Sequence, residues 1–273
     1  MSYLAFLAFI VATGLYWLMG PGGPLHNVDF LALFRGQIGD EEQGYSARSA
    51  FILVVAPLLL FALIYVCVEA IFGGTAMLLL GTAALFFAFG REDFPTLSQR
   101  FLARARAGDL EGASLVITEA GGDGSAEDAD DFADNAIAFF SVMALQRWFG
   151  PVIYFLLLGP IGAVAYRLAY LAQDTPTPLT ESMMRALDWL PSRLMALSFS
   201  LFGDFDSTLN HFADKAFGLG EDTGEFLEDA FGAAAPMTPD AVHHRFDGVF
   251  KLLERSFLSV SYTHLTLPTK WIV

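Results

Sequence analysis

Cysteine is almost absent from this chain, with Cys67 the only one in 273 residues, which excludes an intrachain disulfide framework. Cys67 sits inside an apolar run and is expected to be an inert, membrane-buried thiol. Charge is also scarce: charged residues make up 16%, against about 25% in ordinary soluble domains. Basic residues are scarcer still, with 15 Lys and Arg against 30 Asp and Glu and a net charge of -15. No basic stripe is visible, and phosphate-backbone binding needs clustered Lys and Arg, so no nucleic-acid partner is expected. The glycine cluster at Gly121 to Gly124 is not followed by Lys-Ser or Lys-Thr and does not follow a strand, which excludes a phosphate loop. His243-His244, and His211 with Asp214, come without a third ligand. Asp204, Asp206 and Asn210 lack the glycine and terminal glutamate of an EF-hand. No metal and no cofactor is therefore expected.

What the chain does have is apolar sequence, 55% of it, concentrated in long uncharged runs that call for lipid as the burial medium. Residues 50–68 form an unbroken apolar run, about 28 Å long as a helix and close to the ~30 Å hydrocarbon thickness. Residues 71–90 follow across a Gly73-Gly74 hinge, so the two are expected to form a tight helical hairpin. Within 149–170, residues 149–166 make a further span, flanked by Arg147 and Trp148 at one end and by Arg167 at the other, where cationic and aromatic groups anchor at headgroups. The run 3–19 is short and lies either across the membrane or along its surface. It has no positive charge ahead of its apolar stretch, unlike a secretory signal, and is expected to stay with the mature protein.

Between these runs lie polar segments. Residues 91–148 are expected to be a cytoplasmic loop region with one helix over 98–116 and a solvated acidic stretch containing Glu127, Asp128, Asp130, Asp131 and Asp134. The apolar 136–145 is too short to cross. Residues 171–258 read as amphipathic helices, at 207–218, 225–231 and after an N-cap at Thr238-Pro239-Asp240. Residues 259–273 have neither membrane length nor helical periodicity. They resemble translated sequencing-adapter read-through and are expected to be non-native. Arg35, Arg48, Arg91, Arg100, Arg104, Arg106 and Arg147 fall on one side of the spans, which predicts that side to be cytoplasmic and the segment after Tyr170 to begin outside.

Four polar positions stand out as binding candidates: Asn135, Arg167, Asp188 and Arg193. Arg167 is at or just inside a span end, where it is either a snorkelling anchor or a functional group held at membrane depth. Upstream, Gly159-Pro160-Ile161-Gly162-Ala163 loosens the helix, which allows close helix packing or a broken helix lining a site. Asp188-Trp189-Leu190-Pro191-Ser192-Arg193-Leu194 reads as an aromatic and charged turn that starts an amphipathic helix. No catalytic residue is identified, and a single suspicious helix is not the repeated pair of discontinuous helices a transporter would need.

Three stretches together resemble the AmpE proteins, regulatory membrane proteins linked to β-lactamase induction, and more distantly the CobD/CbiB cobinamide synthases. They are Gly108-Asp109-Leu110-Glu111-Gly112-Ala113, the Phe149 to Leu168 region with Leu158-Gly159-Pro160-Ile161-Gly162-Ala163, and Asp188 to Leu194. The synthases carry Ala-Glu-Asn where this chain has Ala133-Asp134-Asn135, followed by a Ser-Asp-Gly that is missing here. They also carry acidic residues where this chain has Met184 and Arg185. AmpE-like proteins keep the glycine-proline span and the Trp-x-Pro-x-Arg turn. The resemblance implies an all-α, polytopic membrane protein of the bacterial inner membrane, with amphipathic helices and polar loops. It further implies a role in β-lactamase induction or cell-wall stress, with lipids and a cell-wall signalling protein as partners. A cobinamide synthase-like enzyme is the alternative.

Overall fold

The computed structural model describes residues 3–19, 51–90, 94–174, 178–202, 204–215, 218, 222–234, 248, 250–253 and 255. The candidate tail 259–273, the 238–240 cap, His243-His244 and Arg35, Arg48 and Arg91 lie outside them. Every regular element among the described residues is helical: α1 (Tyr3–Met19), α2 (Ala56–Phe72), α3 (Gly74–Phe89), α4 (Phe94–Arg106), α5 (Leu110–Glu119), α6 (Ala129–Ala144), α7 (Gly150–Leu171), α8 (Pro178–Phe202), α9 (Phe205–Lys215) and α10 (Thr223–Ala234). Single π-helical turns, Phe51–Val55 and Leu145–Phe149, lead into α2 and α7. The chain divides into two compact units, one drawing on Met1–Glu92 and Arg147–Leu187, the other on Asp93–Gln146 and Asp188–Thr263.

In the first unit α2 and α3 form the expected tight hairpin. Gly73 turns the chain with φ 58°, and the Tyr65 hydroxyl reaches the sulfur of Met77 at 3.5 Å. α1 packs along α3 in the same direction. Ala8 lies against Gly81 and accepts a hydrogen bond from Thr82, while Tyr16 meets Phe89 with ring centroids 5.3 Å apart. Two helices are long and apolar enough to cross a membrane, Ile52–Phe72 and Ala129–Leu171. α1 and α3 are shorter apolar helices.

The expected span 149–170 lies within Ala129–Leu171, yet it is not a straight rod. Gly159 has φ 70° and ψ -155° inside α7, a region open essentially to glycine alone, and Pro160 restarts the helix where its missing N–H costs nothing. The second arm returns along the first. Arg147 donates to the Tyr170 hydroxyl at 2.7 Å although the two are 23 residues apart, roughly 35 Å on a straight helix. Tyr154 and Tyr166 stack with centroids 5.3 Å apart. Gly150 lies against the Tyr166 ring and Gly162 against the Tyr154 carbonyl, both so closely that a side chain at either would collide. The helix is broken at Gly159, and the small residues Gly150 and Gly162 also give the close packing between its arms.

The second unit is organised by aspartates at helix starts, which complement unpaired N–H groups and the positive end of the helix dipole. Asp109 caps α5 through the Gly112 N–H, and Asp128 caps α6 through the N–H groups of Asp130 and Asp131. Asp204 accepts from Ser207, and Asp222 from Gly224 and Glu225. The expected acidic loop is therefore largely the first turns of α6. The single helix expected over 98–116 is split at Gly108, φ 74°, into α4 and α5, which are joined by ion pairs Arg100–Glu119 and Arg104–Asp109, each 2.8 Å. Phe94, Phe101, Phe132, Phe139, Phe140 and Phe250 form an aromatic cluster, and Gly224 of α10 faces Ala138 and Val142 of α6, which a Cβ at 224 would touch. The 188–194 segment is not a turn. It lies within α8, and its Pro191 leaves the Leu187 carbonyl without its helical N–H, which the Tyr154 hydroxyl replaces at 3.0 Å.

Replacing Gly159 by Ala is expected to cost about 1–3 kcal/mol, since the backbone there suits glycine alone; a lowered Tm of the purified protein, with Gly14→Ala as an unstrained control, checks this. The Gly112 N–H and the Arg104 guanidinium hold the Asp109 carboxyl below its ordinary value of 3.8. A depressed carboxylate lends support above its unfolded pKa and loses it as pH falls through the folded one. The start of α5 is therefore expected to fray below about pH 3.8, read as faster amide exchange near Gly112.

Candidate functional site

At the base of the α7 hairpin two arginines are buried in the first unit, Arg147 with 1% and Arg167 with 4% of its surface exposed. Arg147 comes from the π-helical turn that precedes the first arm, and Arg167 from the second arm. Their guanidinium carbons lie 4.5 and 4.9 Å from the centroid of the same ring, Tyr170. Tyr170 follows Arg167 by three residues, so helical spacing puts both on one face. Arg147 Nη1 and Arg167 Nη2 are both within 3 Å of the point that a Cβ on Gly90 would occupy, so they are less than about 6 Å apart. Glycine at 90, with φ 78°, leaves room for both.

Two cations at that separation repel by about 3 kcal/mol at an effective dielectric constant near 20. Cation–π contact with Tyr170 returns about 0.5–2 kcal/mol for each, and the Tyr170 hydroxyl accepts from Arg147. A guanidinium keeps its proton at any physiological pH, so this cluster can hold or orient an oxyanion but cannot transfer protons.

The other three sequence candidates belong to the second unit. Asp188 is buried and its Oδ2 accepts from Gln146 Nε2 at 2.9 Å. Arg193, also buried, lies 4.1 Å from the Phe226 ring centroid and 5.5 Å from that of Trp189, and donates to the Gly218 carbonyl at 2.7 Å. Both act as internal ties. Asn135 is exposed on α6 and lines a cleft of about 430 Å³ with Asp123, Ser125, Glu127, Asp131 and Phe139. There Ser125 donates to Asp123 from its hydroxyl and its N–H, which lowers the Asp123 pKa. Among the described residues no group of three or more His, Cys, Asp or Glu is placed to hold a metal ion.

In the sequence Arg147 has the position of a headgroup anchor, and nothing local marks Gly90, Gln146 or Tyr154. Only the three-residue spacing of Arg167 and Tyr170 was visible in the sequence; the rest depends on the reversal at Gly159. The described residues are all-helical, and by length and composition two helices, Ile52–Phe72 and Ala129–Leu171, meet the requirement for a membrane span, the second with its break at Gly159. No family model matches it, nor does any curated protein or solved structure.

Tyr170→Phe removes the acceptor that Arg147 uses while keeping the ring. It is expected to destabilise the first unit by about 1–3 kcal/mol, and Tyr170→Leu by more, seen as successive drops in Tm.

Proposed function

We propose that this chain is a multi-pass protein of the bacterial inner membrane with a regulatory role like that of AmpE, modulating β-lactamase induction or the response to cell-wall stress. One observation carries the membrane part. The window within Ile52–Phe72 has a mean hydropathy of 2.6 and is only 17% buried, with Leu59, Leu60, Leu63, Ile64, Val66, Ile71 and Phe72 exposed. A core helix of a soluble protein buries its apolar face, whereas a helix in lipid needs no protein cover. The helix directions agree with this reading: α1 runs parallel to α3, and α2 runs antiparallel to it.

The regulatory part rests on the three stretches that resemble AmpE. Their polar residues serve the chain's own architecture, Asp109 as a cap, Arg167 against Tyr170, Asp188 to Gln146 and Arg193 to the Gly218 carbonyl, a pattern that suits a signalling framework. Lipids and a cell-wall signalling protein are its partners on this reading. A cobinamide synthase-like activity is the second reading, favoured by the position of Asn135 on the cleft wall.

Carbonate-washed membranes are expected to retain the protein, and deleting the gene in a host with inducible β-lactamase is expected to abolish or reset induction. Unchanged induction, together with rescue of a strain unable to close the cobinamide side chain, would favour the synthase.

A further inference from the structure

The hairpin in α7 fixes how the chain meets the bilayer. Gln146 and Asp188 bracket the 41-residue excursion 147–187, and their side chains are hydrogen-bonded to each other at 2.9 Å. The excursion therefore starts and finishes at one place, and the number of bilayer crossings within it must be even. A single crossing by 149–170 is incompatible with that bond.

Two crossings are also excluded by length. The arms 147–158 and 160–171 have twelve residues each, about 18 Å, against a hydrocarbon core of ~30 Å. After the second arm the chain carries Glu181 and Arg185, both exposed on α8, which is unsuited to a crossing. The hairpin lies along α3, its base beside Gly90, Phe155 beside Gly81 and its tip beside Met77.

The tip itself is apolar and uncovered. Leu157 is 59% and Leu158 63% exposed, and no charged residue occurs between Arg147 and Arg167. Non-helical backbone is tolerated at membrane depth where protein covers it; Pro160 brings no N–H and is buried.

We infer that residues 147–171 are a re-entrant hairpin that enters and leaves the bilayer on one face, with the Leu157-Leu158 tip packed among lipid acyl chains. The inference rests on the membrane reading above. It places the segment after Tyr170 on the same side as 94–146, in place of the opposite side expected from the arginine distribution. It also makes the twin-arginine base, not a helix end on the far face, the part of α7 nearest the headgroups.

Single cysteines on a Cys67→Ala background test it, at Ser125, Glu181 and Leu158, with Leu157→Cys as a second tip position. A membrane-impermeant maleimide is applied to right-side-out and to inverted vesicles. The expected result is that Ser125→Cys and Glu181→Cys label from one and the same side. The tip cysteines should label from neither side and react only after detergent is added. Labelling of Glu181→Cys from the side opposite Ser125→Cys overturns the inference, as does labelling of both tip positions by the impermeant reagent from either side. Carbonate extraction of the same preparations separates the two failures: release of the protein into the supernatant refutes membrane embedding itself, whereas retention with the wrong labelling pattern refutes only the hairpin.

Discussion

A helix shut away from water has to satisfy its own backbone, and this chain breaks that rule at two prolines. At Pro160 the break becomes a reversal, because Gly159 takes up a conformation that lets the chain double back. At Pro191 the helix continues, and the carbonyl left over at Leu187 is taken by the Tyr154 hydroxyl. That phenol comes from the first arm of the very hairpin that Pro160 makes. Closing the arms in turn needs Gly150 and Gly162, where any side chain would meet Tyr166 or the Tyr154 carbonyl. The buried arginines at the base follow from the same reversal, since only a folded α7 brings position 147 to the ring at 170.

The second unit follows a different logic, and it accounts for part of the acidity of the chain. Its carboxylates sit at helix starts: Asp109, Asp128, Asp204 and Asp222 each receive backbone N–H groups, where negative charge is favoured. Its interior is built on phenylalanine rings, with Phe140 meeting Phe94, Phe101, Phe139 and Phe250. Acid at the helix ends and phenylalanine rings packed with buried aliphatic side chains such as Val116, Ile117, Ile137, Leu227 and Leu253 characterise this unit.

Much of this could be read from the sequence. Uncharged runs marked the α2–α3 hairpin because glycine at 73 and 74 leaves no room for a loop, and amphipathic spacing marked α9 and α10. The acidic stretch misled, since charge density alone does not distinguish a solvated loop from a capped first turn; the signal was Asp128 ahead of Ala129. Gly159-Pro160 was recognised as a weak point, but its angle was not legible. That angle depends on whether tyrosines 12 residues apart can stack, which no local pattern reports. Asp188 and Arg193 stand out in the sequence as polar positions of an aromatic and charged stretch, but their burial was not legible there, because their partners, Gln146 and the Gly218 carbonyl, lie 42 and 25 residues away.

The bond between Tyr154 and the Leu187 carbonyl also ties two distant positions into one hereditary unit. As long as position 191 is proline, position 154 is obliged to carry a hydroxyl, and phenylalanine there would strand a carbonyl. Restore an N–H at 191 and the obligation lapses. Lineages of this protein that lose the proline are therefore free to lose the phenol, while those that keep it should carry both together.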